Sequence, residues 1–420
     1  MGSERRNLTI PQLAAVVAGN GLEFYDFLIF GFFAVQIGQC FFPGHDATGS
    51  LLLTLATFGV GFVTRPLGGA VIGSLGDRIG RKPAMLFCFG LMGFSILGLV
   101  LTPSHASIGI AAPILVVLFR LLQGFALGGE VGPATAFLME AATPRRRGVY
   151  VSLQFATQQA AILTAGLVGV LLSNLLSAQE LTDWGWRVAM SLGLLVVPFA
   201  LILRRRLPET LEHKSETTFP RPSREQMRIG FFAILTLAAA TVATYTMNYM
   251  NIFGSHTLGL PAADSFGAVV VAGSCGVIFN PIGGWLSDRL GRKPVMMGAY
   301  GLLGLVALPC FMMMAHLRSA PALYAGAAIM ATLLALGTPA VMASLTESLP
   351  PQMRSGGTGI IYALAISLFG GTANFIVAWL TALTGSPLAP AAYLCLILAV
   401  GWCAMLMVRE TAPARISRAG

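Results

Sequence analysis

Apolar residues run along this chain in blocks of roughly twenty, with polar residues gathered in short gaps between them. Windows such as Ala84–Ser104 and Val295–Ala315 carry no charged residue. At about 1.5 Å per residue, such a block crosses the ~30 Å hydrocarbon core as an α-helix. Twelve blocks can be marked, near residues 11–39, 50–72, 84–102, 110–139, 149–176, 185–203, 229–254, 264–286, 295–315, 322–345, 357–383 and 389–408. A helix satisfies its backbone polar groups internally, which is what a segment without water requires. The pattern therefore predicts an all-α membrane protein of twelve transmembrane helices.

The longest polar stretch, RRRLPETLEHKSETTFPRPSREQMR at 204–228, divides the blocks six and six. The predicted organisation is an N-terminal six-helix bundle (1–203), a linker (204–228) and a C-terminal six-helix bundle (229–420). The halves repeat one another. GSLGDRIGRKP at 73–83 returns 211 positions later within GGWLSDRLGRKP at 283–294, and Glu140 and Arg147 are matched by Glu347 and Arg354, each 207 positions on. Such spacing predicts two pseudo-symmetric bundles related by an axis along the membrane normal. Forty-nine glycines, and small-residue runs such as Ala165, Gly166 and Gly169, allow close helix packing.

Composition agrees: 55% of residues are hydrophobic, 10% are charged and mean hydropathy is +0.77. The net charge of +9 raises the question of nucleic acid, and its distribution answers it. With the N-terminus in the cytoplasm, 22 of the 26 Lys and Arg fall on the cytoplasmic side; Arg187 and Arg318 face the other way, and Arg65 and Arg120 lie inside spans. This is the positive-inside bias. It predicts a multi-pass protein of the cell inner membrane with both termini cytoplasmic, whose basic excess meets anionic lipid and not nucleic acid. The apolar run after MGSERRN is too long for a cleaved signal and reads as a retained first helix. Six scattered cysteines form neither a disulfide framework nor a metal set. With no phosphate-binding loop and no HExxH, neither an enzyme nor an ATP-driven pump is indicated. No cofactor is expected, and the chain is read as a monomer.

Five ionisable residues sit well inside spans, where each needs an explanation: Glu23, Asp26, Arg65, Arg120 and Glu130. None is a histidine, so proton coupling has to run through carboxylates. Asp26 and Arg120 are placed to approach near the midplane as a coupling pair, or as a permanent salt bridge between the first and fourth helices. Glu23 and Glu130 read as relays or structural partners, and Arg65 as a cavity cation or a gate residue that snorkels inward. Gln154 and Gln158 share one helix face, as do Tyr245, Asn248 and Tyr249. With Asn20, Tyr25, Gln123, Asn374 and Arg120 they make the candidate substrate set; the alternative is interhelical hydrogen bonding. Trp184, Trp186 and Trp285 near span ends read as interface anchors. The repeated hinges supply a candidate cytoplasmic gate, Gly73, Asp77, Arg78, Arg81 and Glu140 in one half and Asp288, Arg289, Arg292 and Glu347 in the other, against the simpler reading of loop anchoring.

The duplicated hinge resembles the cytoplasmic loop motif of the major facilitator superfamily. GNGLEFYDFLIFGF (19–32), RLLQGFALGGE (120–130) and WGWR (184–187) resemble the metabolite:proton symporter family. SLQFATQQAAI, LRRRLPET and LTESLPPQMRSGG carry the likeness toward citrate/proton symporters over essentially the whole chain. Phe24 departs from the Trp that many members carry in a Glu-Trp-Tyr-Asp string. The resemblance implies the major facilitator fold and proton-coupled uptake of a small organic acid, citrate or a related tricarboxylate first. Runners-up are a proline- or betaine-like zwitterion, 2-oxoglutarate and shikimate, with sodium as the alternative coupling ion. A drug/proton antiporter ranks behind these, because the fifth span has no proline and so lacks the antiporters' Gly-Pro motif.

Overall fold

The computed structural model describes residues 21–22, 24–43, 46–79, 81–128, 135, 138–139, 142–195, 197–198, 224–350 and 354–413, with the side chains at 73, 74, 76–79, 81, 82, 84, 85 and 354–356 outside that set. Among the described residues, helices fall on all twelve apolar blocks and no strand occurs. We number them α1 to α12. In the first half, α1 is Phe24–Phe32 joined through a 67° bend to Ala34–Phe41, and α2 is Ala47–Val63 continued by Arg65–Ile79. Helices α3, α4 and α5 are Arg81–Leu101, Ala111–Leu127 and Arg147–Leu175. Helix α6 is Trp186–Ser191 with a 3₁₀ continuation, Leu192–Leu195. In the second half, α7 is Arg224–Asn248, extended by Met250–Ile252 and a π-helical turn Phe253–Thr257. Helices α8, α9 and α10 are Ala262–Leu290, Arg292–Leu317 and Ala320–Ser348. Helix α11 is Arg354–Ala365 and Gly371–Thr384 around a π-helical turn Ile366–Gly370, and α12 is Ala389–Met407.

Among the described residues, eight helices are long and apolar enough to cross a bilayer, and bent α1 makes a ninth. The chain is a multi-pass, all-α membrane protein of two six-helix bundles. One boundary moves: Arg224–Arg228, assigned to the linker by their polarity, are the first turns of α7. The rest of the linker lies outside the described residues.

The fold is inside out relative to a water-soluble protein. Leu167, Leu171 and Leu175 of α5 are more than half exposed, whereas Gln154, Gln158, Asn248, Asn280 and Asn374 are buried. Lipid accepts the leucines, and the amides need the interior. Hydroxyls inside the helices bond the carbonyl four residues back, as Thr54 does to Ser50 and Thr246 to Val242.

The halves meet chiefly through α5 on α8 and α2 on α11. The pseudo-two-fold exchanges α2 with α8 and α5 with α11, so this is one contact made twice. Small residues allow it: a Cβ on Gly148 of α5 would lie 2.5 Å from the Gly284 carbonyl of α8. Inside the first half, a Cβ on Gly124 of α4 would collide with the Gly61 carbonyl of α2. On α4, Gln123 meets Asp26 of α1 and the Arg120 guanidinium lies over Phe27 and Phe30 of the same helix.

Two residues read from sequence as membrane-surface or ligand groups serve packing instead. Trp186 is 1% exposed; its Nε1 donates to Thr182 O (3.1 Å) and its ring meets Phe41. It is a core residue, unlike Trp184 and Trp285, each 44% exposed. The Tyr25 hydroxyl donates to Ala189 O of α6 (2.8 Å), which ties α1 to α6 and commits its donor away from a ligand. Arg187 has a structural task as well. Its Nε donates to Val100 O (3.1 Å), Nη2 to Thr102 O (2.8 Å) and Nη1 to Asp183 O (2.7 Å). It thereby serves carbonyls at the end of α3 that no helical amide reaches. Replacing it with Ala is expected to cost about 2–4 kcal/mol, read as a lowered Tm in detergent. Lys should not restore stability, because a single ammonium lacks the planar fork of donors. Between α5 and α6, Ser177 and Glu180 cap each other, and the Ser177 amide holds the Glu180 carboxyl below the usual carboxylate range.

Candidate substrate and gating sites

Among the described residues, buried charges fall into two groups: Asp26, Arg65 and Arg120 within the first half, and Asp288 and Arg292 at the end that carries the second hinge motif.

In the first group, Asp26 and Arg120 are both fully buried, and Gln123 stands between them. Arg120 Nη1 donates to Gln123 Oε1, and Gln123 Nε2 donates to Asp26 Oδ2. The expected acid and arginine therefore do converge, but through an amide. The orientation of that amide is forced: a carboxylate only accepts and a guanidinium only donates, so the oxygen has to face Arg120. Arg120 Nη2 also donates to Phe58 O (3.4 Å). The second carboxylate oxygen, Asp26 Oδ1, has no hydrogen-bond partner and lies against α6, where a Cβ on Gly193 would come within 2.7 Å of it.

Among the described residues, aromatic rings pack around the two arginines. The Arg65 guanidinium lies 4.3 Å from the ring centres of Phe27 and Phe62, and Arg120 lies 4.3 Å from Phe27, 4.6 Å from Phe30 and 5.1 Å from Phe58. Ring faces stabilise a cation without neutralising it. Arg65 thus sits among the interior cations. From the other half, Tyr245 of α7 packs on Phe62 (5.6 Å) and Phe58 (6.2 Å) and interacts electrostatically with both arginines.

Helix α7 links this cluster to a small cavity between the halves, with room for about one water. Gln159 and Ile162 of α5, Thr244 and Asn248 of α7, Val269 of α8 and Leu334 of α10 line it. Asn248 is one turn beyond Tyr245, about 4.5 Å along the axis, and its Nδ2 has no partner. Gln154, predicted as a ligand residue, instead accepts from Thr135 Oγ1 (2.9 Å). Gln158 is buried and is not among the cavity-lining residues. Gln159, which sequence reasoning passed over, faces the cavity. The i, i+4 pairing of Gln154 with Gln158 identified a polar face, but neighbouring Gln159 points toward the other half. Tyr249 is buried at 1% exposure, and Asn374 of α11 is buried with Oδ1 unpartnered.

At the motif end, Asp288 of α8 accepts from the backbone amides of Gly148 (2.9 Å) and Val149 (3.0 Å) at the start of α5 in the other half. A carboxylate on a helix N-terminus offsets the positive end of the dipole and fills orphan donors. Arg292 holds that carboxylate (2.7 Å), donates to Ser287 Oγ (2.8 Å) and reaches both oxygens of Glu347 (3.2 Å each). Arg147 crosses from the first half to Glu347 at 3.9 Å. Glu410, absent from the predicted set, accepts from the amides of Arg292 (2.8 Å) and Lys293 (3.1 Å) and so caps α9. Thr411 donates to Glu347 (2.7 Å). Arg289, expected in the gate, turns outward and stacks on Trp285 at 4.3 Å, since one step along the helix from Asp288 points it away from the interface.

The first copy of the hinge is only partly described. Gly73, Asp77 and Arg78 lie on α2 and Arg81 begins α3, while their side chains, and Asn20, Glu23, Glu130 and Glu140 entirely, lie outside the described residues. At the opposite end, Asn251 Nδ2 of α7 donates to Phe32 O at the bend of α1 (2.6 Å), a contact between halves that the sequence did not flag.

Comparison with known proteins agrees with this fold. Residues 12–219 match the family described as Sugar (and other) transporter, and residues 261–419 match the Major Facilitator Superfamily. The chain is 36% identical to the citrate-proton symporter of Salmonella typhi over 96% of this chain and 94% of that protein. It is 32% identical to the proline/betaine transporter of Salmonella typhimurium (95% and 83%) and to the alpha-ketoglutarate permease of Escherichia coli (86% and 84%). A crystal structure of a D-xylose-proton symporter superposes with a TM-score of 0.77 at 15% identity, covering 96% of this chain and 98% of that one. The chain belongs to the major facilitator superfamily, in its metabolite:proton symporter branch. It is a membrane transporter and not an enzyme.

Proposed function

We propose that this protein is a proton-coupled symporter that imports a small carboxylate across the cell inner membrane, citrate or a related tricarboxylate first. The observation that carries this reading is the aromatic cradle around Arg65 and Arg120: two interior guanidinium groups held by rings, with Asp26 reaching one of them through Gln123. An anion drawn to Arg120 is matched when Asp26 takes a proton, so anion and proton travel together. Tyr245, Asn248 and Gln159 offer hydrogen-bonding groups from the facing side. The citrate-proton and alpha-ketoglutarate relatives support a carboxylate. The zwitterion reading suggested by the proline/betaine relatives fits less well, because the rings that would hold an ammonium already hold arginines.

The positive-inside bias supports a cytoplasmic position for the motif end, both termini and the Asp288–Arg292–Glu347 lock. The arrangement then represents a transporter closed to the cytoplasm, with Asp77, Arg81 and Glu140 as the lock's counterpart in the first half.

The test is uptake into proteoliposomes under an imposed pH gradient, with and without sodium, using radiolabelled citrate challenged by 2-oxoglutarate, shikimate and betaine. Citrate should accumulate without sodium and be displaced by carboxylates before betaine. If no carboxylate accumulates or competes, the substrate class is wrong; a strict sodium requirement would replace the proton.

A further inference from the structure

We propose that Gln123 is a positioning residue that converts the protonation state of Asp26 into the availability of Arg120, by turning its side-chain amide. The inference rests on the coupling role proposed above for Asp26.

With Asp26 ionised, both amide bonds are satisfied in one orientation only: NH₂ toward the carboxylate, oxygen toward the guanidinium. Arg120 is then held inward by a neutral acceptor. A proton arriving from water on a lone pair of Asp26 Oδ2 makes that oxygen a donor. Its remaining lone pair accepts more weakly than a carboxylate's, and its new O–H lacks an acceptor while the amide NH₂ faces it. A half-turn of the amide repairs this contact by presenting Oε1 to the new hydroxyl. The same turn swings the NH₂ toward Arg120, which has no acceptor capacity. Arg120 loses its partner in α4 and is left with Phe58 O and the rings. An anion then supplies what the amide withdrew. No bond forms or breaks apart from the proton's, which returns to water from the same oxygen after the anion leaves.

The surroundings favour a local switch. Gln123 and Asp26 are fully buried, so water does not compensate a mismatched donor pair. Asp26 is faced by Gln123 and Arg120 of α4 and by Gly193 of α6, with Tyr25 on its own helix and Arg65 of α2 and Tyr245 of α7 acting on Arg120. The group standing directly between acid and base is therefore an amide whose two ends differ only as donor and acceptor. The predicted sign is positive coupling, proton with anion, as symport requires.

The test compares wild type, Gln123→Leu, Gln123→Asn and Asp26→Asn in proteoliposomes with radiolabelled citrate and 2-oxoglutarate. Net uptake and counterflow exchange are followed across external pH, together with thermal unfolding of the purified proteins. With one linked proton, the wild-type KM should change about tenfold per pH unit over the titrating range. Leu has no amide, and Asn is one methylene too short to span both partners. In each variant the pH dependence of KM should flatten to less than about twofold, at whatever rate counterflow proceeds. A wild-type pH profile in both overturns the switch and places the proton's effect on the unpartnered Oδ1. Loss of folded, exchanging protein in both variants also overturns it, making Gln123 a structural link. If Asp26→Asn still accumulates substrate down a pH gradient, or no carboxylate is carried, the parent reading itself falls.

Discussion

Asp26→Asn is expected to abolish accumulation driven by a pH gradient while leaving exchange intact. A gradient of two pH units stores about 2.7 kcal/mol per proton, enough for roughly 100-fold accumulation at one proton per substrate. Without a titrating group the ratio should fall to about one. The substitution suits the question because Asn matches Asp in size, does not press on Gly193, and still accepts from Gln123 Nε2. Counterflow of labelled substrate, which needs no net proton movement, should therefore continue. A purely structural acid gives a different pattern: lost expression and lost exchange together, with coupling unchanged in whatever protein survives. Full pH-driven accumulation in Asp26→Asn would remove this residue from the coupling path.

The architecture was legible because the bilayer imposes a crude code. Apolar blocks long enough to cross it have to be helices, and each predicted block carries one among the described residues. The second hinge was legible for a similar reason: Asp288, Arg292 and Glu347 are costly near a membrane unless they pair, and they do. What the sequence hid were contacts set by tertiary packing. Gln123 lies three positions from Arg120, on the same helix face, yet its link to Asp26 spans 97 positions and has no local signature. Phe27, Phe30, Phe58 and Phe62 read as ordinary apolar filling, because a ring that faces lipid and a ring that faces a guanidinium are the same letter. Gln159 was missed by one position of helical register. Trp186 was misread because the enrichment of tryptophan at membrane surfaces is a statistical tendency, which a buried hydrogen bond to Thr182 O overrode. Glu410 was missed because the cap it provides on α9 joins segments more than a hundred positions apart.

Asp288→Ala is expected to unlock the motif end, whereas Arg289→Ala, one position along, should change transport less than about twofold. The Asp288 carboxylate serves two backbone amides of α5 and the buried Arg292 at once. Its removal leaves those amides without their partner across the interface and Arg292 with Glu347 and the Ser287 hydroxyl as its remaining side-chain partners. Losses of this kind run to about 3 kcal/mol, which corresponds to roughly a 100-fold shift between closed and open populations. Net uptake should fall by at least about tenfold, since a carrier that seldom closes on one side completes few cycles. The shift can be read without transport: Ser152 lies at the Gly148–Gly284 crossing and is fully buried. In a background lacking the six native cysteines, Ser152→Cys should be protected from a membrane-impermeant thiol reagent applied at the motif face. Adding Asp288→Ala should expose it. Arg289 stacks on Trp285 outside the interface, so Arg289→Ala should leave the thiol protected. Equal exposure from both substitutions, or from neither, would show that the motif's charges anchor a loop and do not hold the two halves closed.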